Sequence, residues 1–361
     1  MAGMHDSPAI SPDYKDAAGG TIASLPKVIL REDFALDKAQ GASASELSNA
    51  VRAQVNAAHA DHVMYLELAV NLQEAAAAAG LEPREALDAV TAGLEVDGID
   101  ARALVAAHRG PGGQNPEQAL ELARLTAEAR ERNAALVAGF ALLDGGGDYD
   151  AEGDGVADLR PLGDYAATLE ALRAGWTPVV VAVGRGDSAD IAEAVQLGAT
   201  RLAHATGMID DFTADIAGIN PGKVSGWVRD RHLAVDTAPL WEVARGDAPE
   251  LKDHILPLLQ QLGFTCTVGT GAPADGTATE AFFALQETFG YGLEEFFDLT
   301  VKAVENSFMN QEERQQVLDT EILPAYEELS EAEYNEDAAV PDTAADAAAA
   351  SGSDEAGDDF S

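Results

Sequence analysis

Short apolar runs alternate along the chain with stretches in which apolar residues return every three to four positions. The runs cover 25–30, 63–70, 101–108, 136–143, 179–183, 201–203, 232–235 and 265–268. Their length and apolar continuity predict strands buried on both faces, as in a parallel sheet. Between them lie helical patterns. Ser43 and Glu46 fit a capping box ahead of Leu47, Val51 and Val55. Pro83 occupies a first helical position before the stripe Leu87, Val90, Thr91 and Leu94. Asn115-Pro116-Glu117 reads as an N-cap and first turn leading to Arg132, and Tyr165, Leu169 and Leu172 mark the next helix. Eight strands alternating with helices over roughly 300 residues favour a (β/α)8 TIM barrel over an open doubly wound sheet. The fold class is therefore α/β, a barrel with extra C-terminal helices.

The clearest unit runs from 179 to 204. Apolar residues 179–183 meet a Gly-rich turn, Gly184-Arg185-Gly186, and a helix over 189–197 leads to Arg201-Leu202-Ala203 and then His204. Polar groups collect where strands stop, and in α/β folds those carboxyl ends are where ligands and chemistry are placed.

Composition narrows the class. With 47% hydrophobic residues in 361, a sizeable core is available. Residues 1–22 lack periodicity and read as a flexible arm, 23–329 as one barrel domain, and 330–361 as a disordered tail with ten acidic residues and no basic one. The net charge of −41 repels phosphate backbones, so nucleic acid is not an expected partner. A single cysteine, Cys266, excludes an internal disulfide and a Cys-cluster metal site. No apolar run approaches a membrane span and no signal peptide is visible, so membrane contact is not expected and a cytoplasmic location is. The acidic loop 144–155 has neither the residue order nor the terminal Glu of a calcium loop.

Four segments carry a family likeness. Leu25-Pro26-Lys27, Leu197-Gly198-Ala199-x-Arg201-x-x-His204, residues 254–273 and residues 290–318 each resemble adenosine deaminase sequences, in the right order and spacing. The resemblance implies a zinc-dependent barrel of the amidohydrolase type that converts adenosine to inosine. It also implies where the zinc ligands belong: a His-x-His pair at Arg31 and Asp33, a histidine at Ala182, and an aspartate at Gly271. The family's general acid falls at Arg185, and its water-polarising histidine at His204.

Of these residues only His204 matches the family. Two histidines two apart on a strand can reach one ion, but a guanidinium cannot ligate zinc, nor can Arg185 exchange a proton near neutral pH. Without a metal to lower its pKa, water stays a poor nucleophile. The expectation is a catalytically inactive member, without a cofactor, whose pocket of Arg31, Asp33, Arg185 and Asp236 holds a cluster of ion pairs or receives a purine nucleoside or small anion. His204 is then a relic catalytic residue or a strand-end histidine satisfied by hydrogen bonds, and Glu67 a structural acid. The rival readings are an active deaminase using a non-standard site and a metal-free enzyme built on His204 with Asp33 or Asp236. A homo-oligomer or an active paralogue is a further partner to consider.

Overall fold

A computed structural model of the protein describes residues 22–35, 43–144, 159–183, 188–216, 218–272 and 276–339. Its strands are β1 (Lys27–Asp33), β2 (Val63–Asn71), β3 (Asp100–His108), β4 (Val137–Leu143), β5 (Val179–Ala182), β6 (Arg201–Ala203), β7 (Thr213–Asp215), β8 (Gly218–Asn220), β9 (Val235–Thr237) and β10 (Cys266–Val268). Eight of them pair in parallel in the order β1-β2-β3-β4-β5-β6-β9-β10. The two ends of the sheet meet where Glu32 bridges to Gly271 and the Asp33 N–H donates to the Gly271 carbonyl at 2.8 Å. The chain is a (β/α)8 barrel.

Helices wrap the barrel: α1 (Ala44–Ala60), α2 (Leu72–Ala79), α3 (Pro83–Leu94), α4 (Pro116–Arg132), α5 (Ala166–Ala174), α6 (Ser188–Leu197), α7 (Lys223–Asp230), α8 (Pro239–Ala244) and α9 (Leu256–Gln261). Four more follow β10: α10 (Ala278–Phe289), α11 (Leu293–Asn306), α12 (Gln311–Val317) and α13 (Leu323–Ala339). Local chemistry sets several of their starts. The Ser43–Glu46 capping box opens α1, and Asn115 caps α4 with Pro116 in its first turn.

Alternation along the strands divides the core in two. Val179, Val181 and Val183 join the large cluster beneath the helices, whereas Val180, Ala182 and Ala203 belong to a small cluster with Ala106 and Ala141. That second set is the barrel interior. Arg201, at the start of β6, enters the same interior and meets Glu67 of β2 at 2.9 Å, both side chains fully buried. The Arg201 guanidinium also donates to the carbonyls of Leu30 and Asn306, while Glu67 accepts from Tyr65 Oη and the Phe308 N–H. This cluster ties the α11–α12 junction to the strands, so Glu67 has a structural set of partners.

Several boundaries differ from the sequence pattern, beginning with the first strand, which is Lys27–Asp33 rather than 25–30 and so includes Arg31 and Asp33. The seventh barrel strand is Val235–Thr237, not 232–235, because His232 takes a left-handed turn at φ 53°. Asp236 therefore lies within the strand rather than after it. The last helix continues to Ala339, past position 330, since Ala and Glu favour helix. Ile22, placed in the arm by the sequence, is buried. The β7–β8 hairpin, α7 and α8 were not anticipated, being too short for periodicity to register. Residues 1–21, most of the acidic loop, Arg185 and the tail beyond Ala339 lie outside the described residues. Among the described residues no helix is long and apolar enough to cross a membrane.

Candidate functional site

The carboxyl ends of β1, β6 and β9 converge on one side chain, Arg31. Register places three steps on β1, from Ile29 to Glu32, against two on β2, from Leu66 to Leu68. The extra residue is a bulge at Leu30–Arg31, a device that re-aims a strand's side chains. Glu32 turns to Gln54 and Thr270, at 2.6 and 3.1 Å, and burial raises its pKa despite those bonds. Arg31 turns the other way and is only 1% exposed.

Arg31 makes three polar approaches. Nη1 donates to Asp33 Oδ1 at 2.7 Å, Nη2 bonds to His204 Nε2, and Nε stands 3.9 Å from Asp236 Oδ2. Asp236 is held from the other side by Thr267 Oγ1 at 2.8 Å. Burial pushes the Asp236 carboxyl above its ordinary value, and Arg201 and Arg31 limit the rise.

The His204 contact settles which nitrogen carries the proton. A guanidinium has donors only, so Nε2 must accept and the ring proton must sit on Nδ1. Nδ1 then donates to Glu242 Oε1 at 2.6 Å. Glu242, on α8, also accepts from the Ala238 N–H at 2.9 Å and from His254 Nε2 at 2.5 Å. His254 Nδ1 accepts in turn from the Leu256 N–H at 3.2 Å. Burial alone would raise the Glu242 pKa, but the His204 and His254 bonds outweigh it and hold the carboxyl well below the usual range. A continuous chain thus runs Asp33–Arg31–His204–Glu242–His254.

Trp241 forms a wall of this site. His204 stacks on it at 4.2 Å between centroids, Arg31 lies 5.3 Å from a ring centroid, and Arg245 lies 4.0 Å from one. Arg245 is anchored by Asp144 at 2.9 Å. Although Asp144 is fully buried, which alone would raise its pKa, Arg245 more than compensates and lowers it. Trp241 also closes on Gly271, where a Cβ would lie 2.6 Å from its Cγ.

Arg31, Asp33, His204 and Asp236 are therefore neighbours, whereas Arg185 lies outside the described residues. Sequence reasoning did not find Trp241, Glu242, Arg245 or His254. Pro239 was the available signal, since proline favours a first helical position, but nothing in the spacing links Glu242 to a histidine twelve residues on.

The residues at the positions where the family resemblance would put zinc ligands do not fit that ion. Arg31 brings a cation to one ligand position, Ala182 brings no donor, and Trp241 fills the space beside Gly271. Among the described residues no three His, Cys, Asp or Glu side chains are grouped to hold a metal.

An eight-stranded parallel barrel with its polar cluster at the carboxyl strand ends is the arrangement in which (β/α)8 barrels place their sites. The family profile for adenosine deaminase matches residues 33–322, and the chain belongs to that family. Adenosine deaminase of Mycobacteroides abscessus is 28% identical over 336 residues, covering 89% of this chain and 86% of that protein. Among solved structures, an amidohydrolase from Burkholderia ambifaria with bound Zn superposes with a TM-score of 0.72 at 16% identity, over 88% of this chain and 95% of the other. Arabidopsis ADAL complexed with IMP gives 0.66 at 15% identity, over 84% and 99%. At these identities the structural likeness establishes the fold.

Proposed function

We propose that this member of the adenosine deaminase family does not deaminate, and that its barrel mouth is a binding site for a purine nucleoside or a small anion. The observation that carries the reading is the Arg31–His204 bond. The Nε2 lone pair that a histidine needs to polarise water is taken by a guanidinium. A metal would ordinarily supply both the positive charge and the activated water; here Arg31 supplies the charge, paired with Asp33 and facing Asp236. Arg185 is proposed as a second cation at the same mouth. The purine class rests on family membership and on the named IMP complex of an Arabidopsis relative.

The test is metal content after purification with zinc supplied, together with loss of adenosine absorbance on mixing. Absence of both turnover and metal, with a rise in Tm on adding adenosine or inosine by mass action, is the expected result. About one zinc per chain with turnover would overturn the reading and make the protein an active deaminase with a non-standard site. No turnover and no nucleoside-dependent stabilisation would remove the nucleoside half of the proposal.

A further inference from the structure

The barrel floor, opposite the mouth, carries a concavity. A pocket of about 330 Å³ opens where the chain enters β5 and β6, beneath the α11–α12 turn, and its lining includes Arg130, Arg173, Trp176, Thr200 and Phe308. The chain has 63 acidic and 22 basic residues, yet two arginines and no Asp or Glu line this pocket.

Trp176 is 91% exposed and sits at φ 52°. It closes α5 in a Schellman arrangement: its N–H donates to the Arg173 carbonyl at 3.2 Å and the Thr177 N–H to Leu172 at 2.9 Å. The left-handed position is one that glycine ordinarily fills, and Gly175 stands immediately before it. The indole gains almost no burial to offset that strain. Unfavourable backbone held in place by its surroundings is a feature of ligand sites.

The two arginines complete the pocket. Arg130, half-buried, donates to the carbonyls of Val137, Ala138 and Phe308, so neutral acceptors position its guanidinium, and it makes no ion pair among the described residues. Arg173 makes no ion pair among the described residues. A Cβ on Gly198 would lie 3.5 Å from Arg173 Nη1, which puts the guanidinium over the Gly198 wall.

We propose that the floor pocket binds a planar anion of mononucleotide size, with the aromatic ring on Trp176 and the phosphate between Arg130 and Arg173. Guanidinium groups suit phosphate, an exposed indole offers a stacking face, and the volume lies at the small end of ligand pockets. Longer polyanions are disfavoured, because each further phosphate meets the field of a chain carrying −41.

Equilibrium dialysis of labelled AMP against the full chain at low ionic strength tests this, with tryptophan fluorescence read in parallel. Saturable binding of AMP with quenching is expected, and adenosine and inorganic phosphate should each bind about tenfold or more weakly. Trp176→Ala and Arg173→Glu, both surface changes, should each weaken AMP about tenfold. The proposal is overturned if both floor variants bind AMP within about twofold of the parent, or if inorganic phosphate binds as tightly as AMP.

Discussion

Trp241 and Gly271 are packed so closely that a Cβ on residue 271 would lie 2.6 Å from Trp241 Cγ. Residue 271 also has φ 68°, in the left-handed region. The space beside Gly271 is thus filled by an indole, which stacks in turn on His204.

Gly271→Asp should therefore destabilise the protein, by roughly 2–4 kcal/mol from overpacking plus the left-handed backbone. Urea unfolding at neutral pH measures it. Unchanged stability would mean that Trp241 moves aside readily and is not a fixed wall.

Arg31→Met keeps a stem of similar length but removes the charge between Asp33 and Asp236. Breaking a buried pair by removing one partner costs about 3–5 kcal/mol, and Asp33, which is partly exposed, should moderate that figure. Arg31→Lys should recover part of the loss, because a single ammonium cannot reproduce the fork that reaches Asp33 and His204. Equal stability of Lys and Met variants in denaturant titrations would show that the charge itself contributes nothing.

Glu242 gives a pH dependence of known sign. Its folded pKa lies below the ordinary 4.5, so the folded state favours the carboxylate. The resulting stability is present at neutral pH and is lost as pH falls below about 4.5 through the depressed folded value. Glu242→Gln removes that contribution and should flatten the acid limb of a stability–pH curve. Parallel acid limbs for parent and variant would contradict the assignment.

Cys266 is buried in β10, and burial pushes its thiol up to about 12. At about pH 8 the native protein should resist thiol reagents and label only as it unfolds, since the thiolate is the reactive form. Labelling of the folded chain as fast as of the urea-unfolded chain would exclude this burial.

Much of the scaffold was legible in the linear pattern. Apolar strands of three to eight residues and stripes at helical spacing identify a barrel because periodicity is a local property. The family resemblance placed Arg31 and Asp33 together at the end of the first strand. Where the local signal was short, it misled: His232 turned out to be a turn residue, and α8, which carries Trp241 and Glu242, has only six residues.

The sequence by itself determined the family's barrel and the residues standing at each strand end, since both depend on order and spacing along the chain. Only the tertiary structure decided what those residues do to one another. Arg31 and His204 are 173 positions apart, and the bond that occupies Nε2 exists because closure of the barrel brings β1 and the end of β6 to one mouth. The same closure sets Trp241 against Gly271 and Glu242 between two histidines. Such contacts depend on side-chain direction and packing across the barrel, which no local periodicity encodes.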